Sequence, residues 1–284
     1  MLVYVFPGQG SQKKGMGQGL FDEMQQFASI ERHVDELLSY SVRQLCLEDA
    51  QGLLKDTRYT QPSLYIVNAL HCYQALAAGE QPQFLAGHSL GEYNALLAAG
   101  CFDLLTGLRL VRKRGELMGQ ASGGGMAAVI GMEATRVTEV LAQQQLGTLD
   151  VANYNSPSQT VISGPAADIE RAKAVFDAAG ARMVIPLQVS AAFHSRYMEQ
   201  AAREYGDFLA QFSFKAPQIP VIANVTAQPY PQHDADATIK SLLVRQITQS
   251  VRWTQSVRYL REQGAAAFKE IGPGNVLTRL IQQI

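Results

Sequence analysis

The chain has 284 residues, of which 47% are hydrophobic and 17% are charged, and its formal net charge is −1. This composition is typical of a soluble globular protein with enough apolar residues for a large core. The near-zero charge gives no global electrostatic case for binding to nucleic acid or to a membrane surface.

The cysteines and the N-terminus bear on where the protein works. Cys46, Cys72 and Cys101 are odd in number and lack metal-ligand spacing, which favours a reducing compartment and predicts no metal site. The chain begins without the basic segment and apolar run of a signal peptide, and no apolar run approaches the length of a membrane span. We therefore expect a cytoplasmic protein.

The first part of the chain alternates strands with helices. A strand over Leu2–Phe6 runs into a glycine-rich turn, residues 7–12, and a second short strand begins at Phe84. Helices are predicted over about residues 20–38, 62–78, with Pro62 in the first turn, and 102–121. Such alternation is typical of a parallel sheet covered on both faces.

The middle of the chain has a different order. Strands are predicted over residues 126–131, 149–153, 159–163 and 181–189, and helices over residues 133–144 and 166–179. The order βαββαβ is that of a small ferredoxin-like domain. We therefore predict an inserted ferredoxin-like domain, residues 125–190, within a large α/β domain formed by residues 1–124 and 191–284. The large sheet then continues with strands near residues 220–225 and 265–271 and a helix over residues 237–249.

The pentapeptide Gly87-His88-Ser89-Leu90-Gly91 lies between the second strand and a helix-like run. Strand, sharp turn and helix with serine at the apex is the context of a nucleophile elbow, and it predicts that the large domain is α/β-hydrolase-like. Glycines allow a strained turn and close packing of the neighbouring chain. A bare GxSxG pattern also occurs in ordinary glycine turns, so the flanking elements carry this interpretation.

A nucleophilic serine needs a base and an oxyanion hole. His194 follows the last strand of the insert, at the junction where a cleft would form, and it is the best base candidate. The backbone N–H of Leu90 would be one oxyanion donor, and the N–H of Gln9 in the first turn would be the second. That turn does not match a phosphate-binding loop, because Lys13 occupies the position of the final glycine of GxGxxG.

Arg114 is the charged residue that stands out on its helix. It lies between Leu110 and Met118 on an i, i+4, i+8 ridge, so its side chain is expected to point inward. A buried arginine needs an anionic partner. The partner is either an internal Asp or Glu or the carboxylate of a substrate held by the planar guanidinium, and periodicity does not choose between them.

Together these motifs resemble those of the malonyl-CoA:acyl carrier protein transacylases, the acyltransferase family of fatty acid and polyketide synthesis. The resemblance covers nearly the whole chain. It rests on Phe6-Pro7-Gly8-Gln9-Gly10-Ser11-Gln12, Thr60-Gln61-Pro62, Gly87-His88-Ser89-Leu90-Gly91-Glu92, Arg114-Gly115-Glu116-Leu117-Met118, Asn153-Tyr154-Asn155-Ser156-Pro157, Ala192-Phe193-His194-Ser195 and Gly272-Pro273-Gly274.

The resemblance implies roles for individual residues. Ser89 corresponds to the acylated nucleophile and His194 to its base, oriented by a backbone carbonyl that the match assigns to Gln246. Arg114 corresponds to the residue that binds the malonyl carboxylate. The remaining residues that the match assigns to the oxyanion hole or to substrate binding are Gln9, Leu90, Gln61, Asn155, Phe193 and Met118. Phe193 is similar to the residue found in malonyl-type enzymes, where methylmalonyl-type enzymes usually carry serine.

The resemblance also implies substrates and partners. Malonyl-CoA would be the substrate. The partner would be an acyl carrier protein, either free or within a polyketide synthase. Because the phosphopantetheine is carried by that partner, no cofactor is expected. The sequence of residues 189–195 looks most similar to that of discrete acyltransferases that act in trans on polyketide synthases. Members of the family commonly work as monomers. The rim that receives the acidic carrier is expected to be basic, with Arg171, Lys173, Arg245 and Arg258 as candidates.

Alternative functions stay open on the sequence. A housekeeping fatty-acid enzyme carries almost the same motifs, and a proofreading acyl hydrolase shares the fold but typically lacks the arginine. An α/β-hydrolase esterase would need an acid between serine and histidine, where Asp150, Asp168 and Asp177 all fall within the insert. From a different class, the chain could be a catalytically idle docking module for carrier proteins.

Overall fold

Two β-sheets organise the molecule, which is described by a computed structural model for residues 1–284 except for the side chain of Gln26. The strands are β1 (Leu2–Phe6), β2 (Phe84–Gly87), β3 (Gly124–Ile130), β4 (Asp150–Ser156), β5 (Gln159–Pro165), β6 (Met183–Pro186), β7 (Val221–Ile222) and β8 (Ala267–Glu270). One sheet has the order β7-β2-β1-β8 and is parallel throughout. The other has the order β4-β5-β3-β6 and is antiparallel throughout.

Helices cover both sheets. They are α1 (Leu20–Glu23), α2 (Gln25–Ala28), α3 (Glu31–Leu38), α4 (Val42–Glu48), α5 (Thr57–Ala77), α6 (Gly91–Ala98), α7 (Leu104–Gln120), α8 (Ala134–Gln143), α9 (Ala166–Ala178), α10 (Glu199–Leu209), α11 (Ala235–Thr248), α12 (Trp253–Glu262) and α13 (Val276–Ile281). Single turns of 3-10 helix lie at Leu53–Lys55 and Arg196–Met198.

The parallel sheet is buried on both faces, as its strand and helix alternation predicts. Val3 and Val5 of β1 pack in an apolar cluster with residues of α12 and α13. Tyr4 and Phe6, which point to the opposite face because side chains alternate along a strand, belong to the largest cluster with residues of α5, α6 and α7. The elements that follow the carboxyl ends of β1 and β2 are thereby fixed by packing on two sides.

The antiparallel sheet has a core of its own. Its strands fall within residues 124–186, and α8 and α9 lie in the connections between β3 and β4 and between β5 and β6. Val129 and Ile162 of the sheet share an apolar cluster with Val137 of α8 and Phe176 of α9. This part of the chain therefore buries apolar side chains largely among themselves.

Several predicted elements differ from those observed. The helix predicted over residues 20–38 is wrong: the chain forms α1, α2 and α3, and it turns at Met24, whose φ of −89° and ψ of 88° are not helical. That turn lets the rings of Phe21 and Phe27 meet edge to face at 5.5 Å. Helices α4, α10 and α12 were not predicted from the sequence.

The start of the helix predicted from Pro62 is also wrong. Helix α5 begins at Thr57, and the side chain of Asp56 caps it by accepting the N–H of Arg58. Pro62 therefore lies in the second turn and not in the first. The strand predicted over residues 181–189 is shorter in the structure, where only Met183–Pro186 (β6) pair with β3.

Candidate active site

Ser89 lies at the apex of a sharp turn between β2 and α6. Its φ of +50° is a backbone angle that residues other than glycine rarely adopt. Gly87 and Gly91, on either side of the turn, have to be glycine because backbone atoms leave no space for a Cβ at these positions. A Cβ on Gly87 would come within 2.0 Å of the carbonyl carbon of Gly91, and a Cβ on Gly91 within 2.0 Å of the carbonyl oxygen of Phe6. The elbow is thus held against the end of β1 at a distance that only glycine permits.

The turn after β1 lies against the same elbow. A Cβ on Gly8 would meet the carbonyl oxygen of His88 at 2.4 Å and the backbone nitrogen of Leu90 at 3.6 Å. Within the described residues, the N–H groups of Gln9 and Leu90 have no hydrogen-bond partner. Leu90 also precedes the first turn of α6, where the helix dipole favours negative charge. Two free backbone donors therefore lie on adjoining turns beside Ser89.

Ser89 and His194 form a hydrogen-bonded pair. Nε2 of His194 lies 2.8 Å from Oγ of Ser89, and its Nδ1 lies 2.7 Å from the carbonyl oxygen of Gln246. A carbonyl oxygen can only accept, so Nδ1 carries the proton and the unprotonated Nε2 accepts from the serine hydroxyl. This is the tautomer that a general base requires.

The surroundings of His194 keep its ring neutral. The residue is 4% exposed, and its φ of +56° marks a second strained position. Burial, followed by the positive charge of Arg114, lowers the pKa of His194 from 6.5 to about 3. A neutral imidazole is ready to take a proton from the serine over the whole physiological pH range.

Arg114 is 1% exposed and reaches Ser89, so the inward orientation predicted from the helix is confirmed. Its Nη2 donates to Oγ of Ser89 at 3.1 Å and to Oε1 of Gln246 at 2.9 Å, and its Nη1 donates to Oε1 of Gln61 at 2.8 Å. The guanidinium also lies 5.6 Å from the ring centre of Tyr93. In the described part of the chain, its Nε has no partner and no carboxylate lies within 4.0 Å.

Gln246 of α11 connects the components of the site. Its backbone carbonyl accepts from His194, and its side-chain oxygen accepts from Arg114. Its Nε2 donates to the backbone carbonyl of Ser89 at 2.9 Å and makes a short hydrogen bond to Oε2 of Glu92. A single residue on α11 therefore contacts both the elbow and the buried cation.

The other predicted site residues lie at different distances from Ser89. Asn155 accepts a hydrogen bond from Nε2 of His88 at 2.8 Å, so it reaches the neighbour of the serine and not the serine itself. Met118 lies against Gln61, whose Nε2 is 3.5 Å from the methionine sulfur. Phe193 and Met118 are both buried and line one small cavity of about 500 Å³ on the side of α7.

A larger cavity of about 1330 Å³ lies between the antiparallel-sheet region and α12, and His194 lines it. Its basic lining residues are Arg196, which is paired with Asp150, and Arg252 and Arg258. In the part of the chain that the structure describes, the side chains of Arg252 and Arg258 have no ion-pair partner. The cavity therefore connects His194 to an exposed surface on which Arg252 and Arg258 lie beside the acidic side chains of Glu133 and Glu199.

The basic candidates from the sequence are placed differently. Arg258 lines the large cavity, whereas Arg171 and Lys173 form ion pairs on the outer surface of α9 with Asp168 and Asp177. Arg245 donates to the side chain of Gln249 one turn further along α11.

Two residues that sequence reasoning left without a role help to hold the site. Oδ1 of Asn224 accepts the N–H of Ser89 at 2.7 Å, and its Nδ2 donates to the carbonyl of Gly87 at 2.6 Å. Glu92 is buried beneath the elbow. A polar residue inside the apolar run 221–225, just after β7, was the signal for Asn224, because the carboxyl ends of parallel strands meet at one edge of a sheet.

Among the described residues, no group of three or more His, Cys, Asp or Glu side chains is arranged to hold a metal ion. No helix in the described structure combines the length and the apolar character that a membrane span needs.

A strained serine elbow with a neutral histidine and free backbone donors beside it defines a class of enzymes that act through a serine nucleophile. A family model described as an acyl transferase domain matches residues 3–284. The chain is 53% identical over 286 residues to the polyketide biosynthesis malonyl CoA-acyl carrier protein transacylase BaeC of Bacillus velezensis, covering 100% of this chain and 96% of that protein.

Solved structures agree with this match. The crystal structure of malonyl CoA-acyl carrier protein transacylase from Burkholderia pseudomallei has a TM-score of 0.93 and 46% identity, covering 100% of this chain and 97% of that one. PlMCAT:AntF, a type II PKS acyl-carrier protein in complex with its malonyl-transacylase, gives a TM-score of 0.93 at 36% identity, covering 100% and 92%. The chain belongs to the acyl transferase domain family.

Proposed function

We propose that this protein transfers a malonyl group from malonyl-CoA to the phosphopantetheine thiol of an acyl carrier protein, through a malonyl ester on Ser89. The observation that carries the proposal is the buried guanidinium of Arg114, 3.1 Å from the nucleophile and without a carboxylate partner among the described residues. A buried arginine with an unpaired Nε–H is matched by an anionic ligand, and the planar group suits a carboxylate.

The first half-reaction acylates the enzyme. Nε2 of His194 takes the hydroxyl proton as Oγ of Ser89 attacks the thioester carbonyl. The N–H groups of Gln9 and Leu90 bind the developing oxyanion, and one such donor is worth roughly 3–4 kcal/mol in the transition state. The C–S bond breaks, and the leaving thiolate takes the proton from His194, so that coenzyme A departs as a thiol.

The second half-reaction reverses these steps with a new thiol. His194 takes the proton of the pantetheine thiol as its sulfur attacks the malonyl ester, and the proton then returns to Oγ of Ser89. Arg114 holds the malonyl carboxylate throughout. Because the ester must survive until the carrier arrives, the buried site has to keep water from the ester carbonyl.

The remaining residues are assigned supporting roles. Gln246 orients His194 through its carbonyl, and Gln61 orients Arg114. Phe193 and Met118 would limit the space beside the malonyl C2 atom, which favours malonyl over branched acyl groups. Asn155 would fix the ring of His88 and so the shape of the elbow.

We also propose a domain organisation for the chain. We describe residues 1–124 and 191–284 as an α/β-hydrolase-like domain, because a parallel sheet delivers the serine elbow between a strand and a helix. Residues 125–190 form a ferredoxin-like insert, supported by the strand order β4-β5-β3-β6 and a separate apolar cluster. Buried thiols at all three cysteines fit the proposed cytoplasmic location, and the protein is proposed to act as a monomer without a cofactor.

The carrier partner and pathway follow from the relatives. A structural neighbour is a malonyl-transacylase in complex with an acyl-carrier protein. In this chain, the unpaired Arg252 and Arg258 of the large cavity would bind the phosphates of the substrates. The 53% identity to a polyketide biosynthesis transacylase along the whole chain supports a trans-acting polyketide role. A housekeeping role in fatty acid synthesis is the alternative, and carrier preference distinguishes the two.

Intact-protein mass spectrometry tests the proposal. A brief incubation with malonyl-CoA is expected to add one malonyl group to the wild-type protein and none to Ser89→Ala. Parallel incubations with acetyl-CoA and methylmalonyl-CoA measure the preference for malonyl. Rapid hydrolysis of acetyl or longer acyl groups, with no lasting malonyl adduct, would instead identify an editing hydrolase of the same fold.

A further inference from the structure

Glu92 is a buried carboxylate that the proposed mechanism does not use. It lies in the first turn of α6, three residues after Ser89, and is 1% exposed. Its Oε1 accepts the backbone N–H of Asn224 at 3.0 Å and the hydroxyl of Tyr230 at 2.7 Å, and its Oε2 accepts the short hydrogen bond from Gln246. Only donors face this carboxylate, an arrangement that suits its ionised form.

The side chain of Gln246 lies between Glu92 and Arg114. An amide has a donor end and an acceptor end, and a carboxylate can only accept. Glu92 and the backbone carbonyl of Ser89 therefore fix the direction of the amide: its nitrogen faces these two acceptors, and its oxygen faces Nη2 of Arg114. Over the described residues, Glu92 and Arg114 are not in ion-pair contact, so the anion is separated from the cation by one amide.

This arrangement solves a problem that a substrate-binding arginine poses. A buried cation without an anion nearby is very costly, whereas a carboxylate in direct contact would occupy the donors that a substrate needs. An anion one amide away balances the charge and leaves the Nε–H of Arg114 unpaired. Burial, the largest cause, raises the pKa of Glu92 from 4.5 to about 7, and the charge of Arg114 acts to lower it, so Glu92 becomes this anion as the pH rises through about 7.

We propose that Glu92 is a positioning residue: it acts through the amide of Gln246 to hold the guanidinium of Arg114 in place without contacting it, so that the guanidinium is reserved for the carboxylate of the substrate. This inference rests on the proposed function, because it takes Arg114 as the group that recognises malonyl. It assigns to Glu92 an effect on substrate selection and none on the chemistry of Ser89.

The first test is Glu92→Gln, which keeps the size of the side chain but lets the amide of Gln246 turn round. Single-turnover acylation by malonyl-CoA is expected to slow at least about tenfold, as for loss of a hydrogen bond to a charged group, while acylation by acetyl-CoA changes much less. Tyr230→Phe is the matched control, since it removes one bond to Glu92 and leaves Gln246 in place. Equal losses for both acyl groups in Glu92→Gln would mean a merely structural role.

The second test exchanges the two residues. In the double variant Glu92→Gln with Gln246→Glu, the number of charges is unchanged, but a carboxylate now contacts Arg114 directly. The readout is the ratio of the malonyl rate to the acetyl rate in the same variant, which is expected to fall to about one whatever the double variant loses in overall rate. A double variant that still prefers malonyl would overturn the inference. The wild-type protein, measured in parallel, separates failure of this inference from failure of the proposed function. If the wild-type protein forms no malonyl adduct, the proposed function itself is rejected.

Discussion

Arg114 donates a hydrogen bond directly to the hydroxyl oxygen of Ser89, across 3.1 Å. The same oxygen lies 2.8 Å from Nε2 of His194, so the serine accepts from the cation and donates to the imidazole. The group proposed to bind the substrate carboxylate and the group proposed to attack its thioester are therefore neighbours. A malonyl group spans such a distance with one methylene between its two carbonyl carbons, which makes acyl selection and attack properties of one site.

The first prediction concerns Arg114→Ala. Malonylation of Ser89 is expected to slow at least about thirtyfold, because truncating one partner of a buried charged contact costs 2–5 kcal/mol, while acetylation slows much less. Arg112→Ala is the control, since that arginine lies on the same helix in a partly exposed pair with Glu116. Acylation rates come from quenched-flow mass spectrometry. Unchanged malonylation in Arg114→Ala would remove the basis of the assignment.

The second prediction concerns the contact between the first turn and the elbow. Gly8→Ala places a Cβ 2.4 Å from the carbonyl oxygen of His88, so the turn carrying the N–H of Gln9 must move. Loss of one oxyanion donor is expected to slow acylation about 100-fold for every acyl-CoA. Gly206→Ala is the matched control, because its Cβ would meet Val244 at an ordinary 3.5 Å. Equal rates for the two variants would argue against Gln9 as a donor.

The third prediction is the pH dependence of acylation. Burial lowers the pKa of His194 from 6.5 to about 3, so the base stays neutral as the medium becomes mildly acidic. With acetyl-CoA, the acylation rate is expected to stay within about twofold between about pH 8 and about pH 5. Stopped-flow or quench measurements across this range give the profile. A half-maximal rate near pH 6.5 would show that the imidazole titrates normally.

The fourth prediction links Glu92 to stability. Burial raises the pKa of Glu92 from 4.5 to about 7, against the hydrogen bond from Tyr230 and the charge of Arg114, which both act to lower it. The folded state then holds a proton that the unfolded state releases, so the contribution of Glu92 is present below pH 4.5 and lost as the pH rises through about 7. The shift corresponds to about 3 kcal/mol.

Urea denaturation of the wild-type protein and Glu92→Gln at a series of pH values measures this effect. The wild-type free energy of unfolding minus that of the variant should fall with rising pH across the same window. His194 titrates in both proteins, so its contribution cancels in the difference. A difference that does not change with pH would show that Glu92 titrates alike in the folded and unfolded states.

The local parts of the site could be predicted from sequence, whereas its long-range connections could not. The elbow around Ser89 is encoded by a strand, two glycines and a helix that are contiguous in the chain, and helical periodicity alone predicted that Arg114 points inward. The carbonyl of Gln246 was assigned by resemblance, since its bond to His194 joins residues that no periodicity relates. The contact between Glu92 and Asn224 crosses 132 positions and depends on the pairing of β7 with β2, the strand that leads into α6.

Element boundaries show the same limit. Residues 20–38 carry an apolar pattern that a continuous helix would satisfy, yet the tertiary contact of Phe21 with Phe27 favours a break at Met24. Propensity and pattern describe a segment in isolation, and packing against the rest of the fold decides where it ends.

The most direct test of the central claim follows the fate of the acyl-enzyme. Wild-type protein is malonylated with malonyl-CoA, freed of excess substrate, and then divided between buffer alone and buffer with a holo acyl carrier protein. Intact mass spectrometry is expected to show that the malonyl adduct persists in buffer alone. In the sample with carrier, the malonyl group is expected to pass to the carrier as soon as the two proteins are mixed. An adduct lost to water at the same rate with and without carrier would contradict the account and identify a hydrolase.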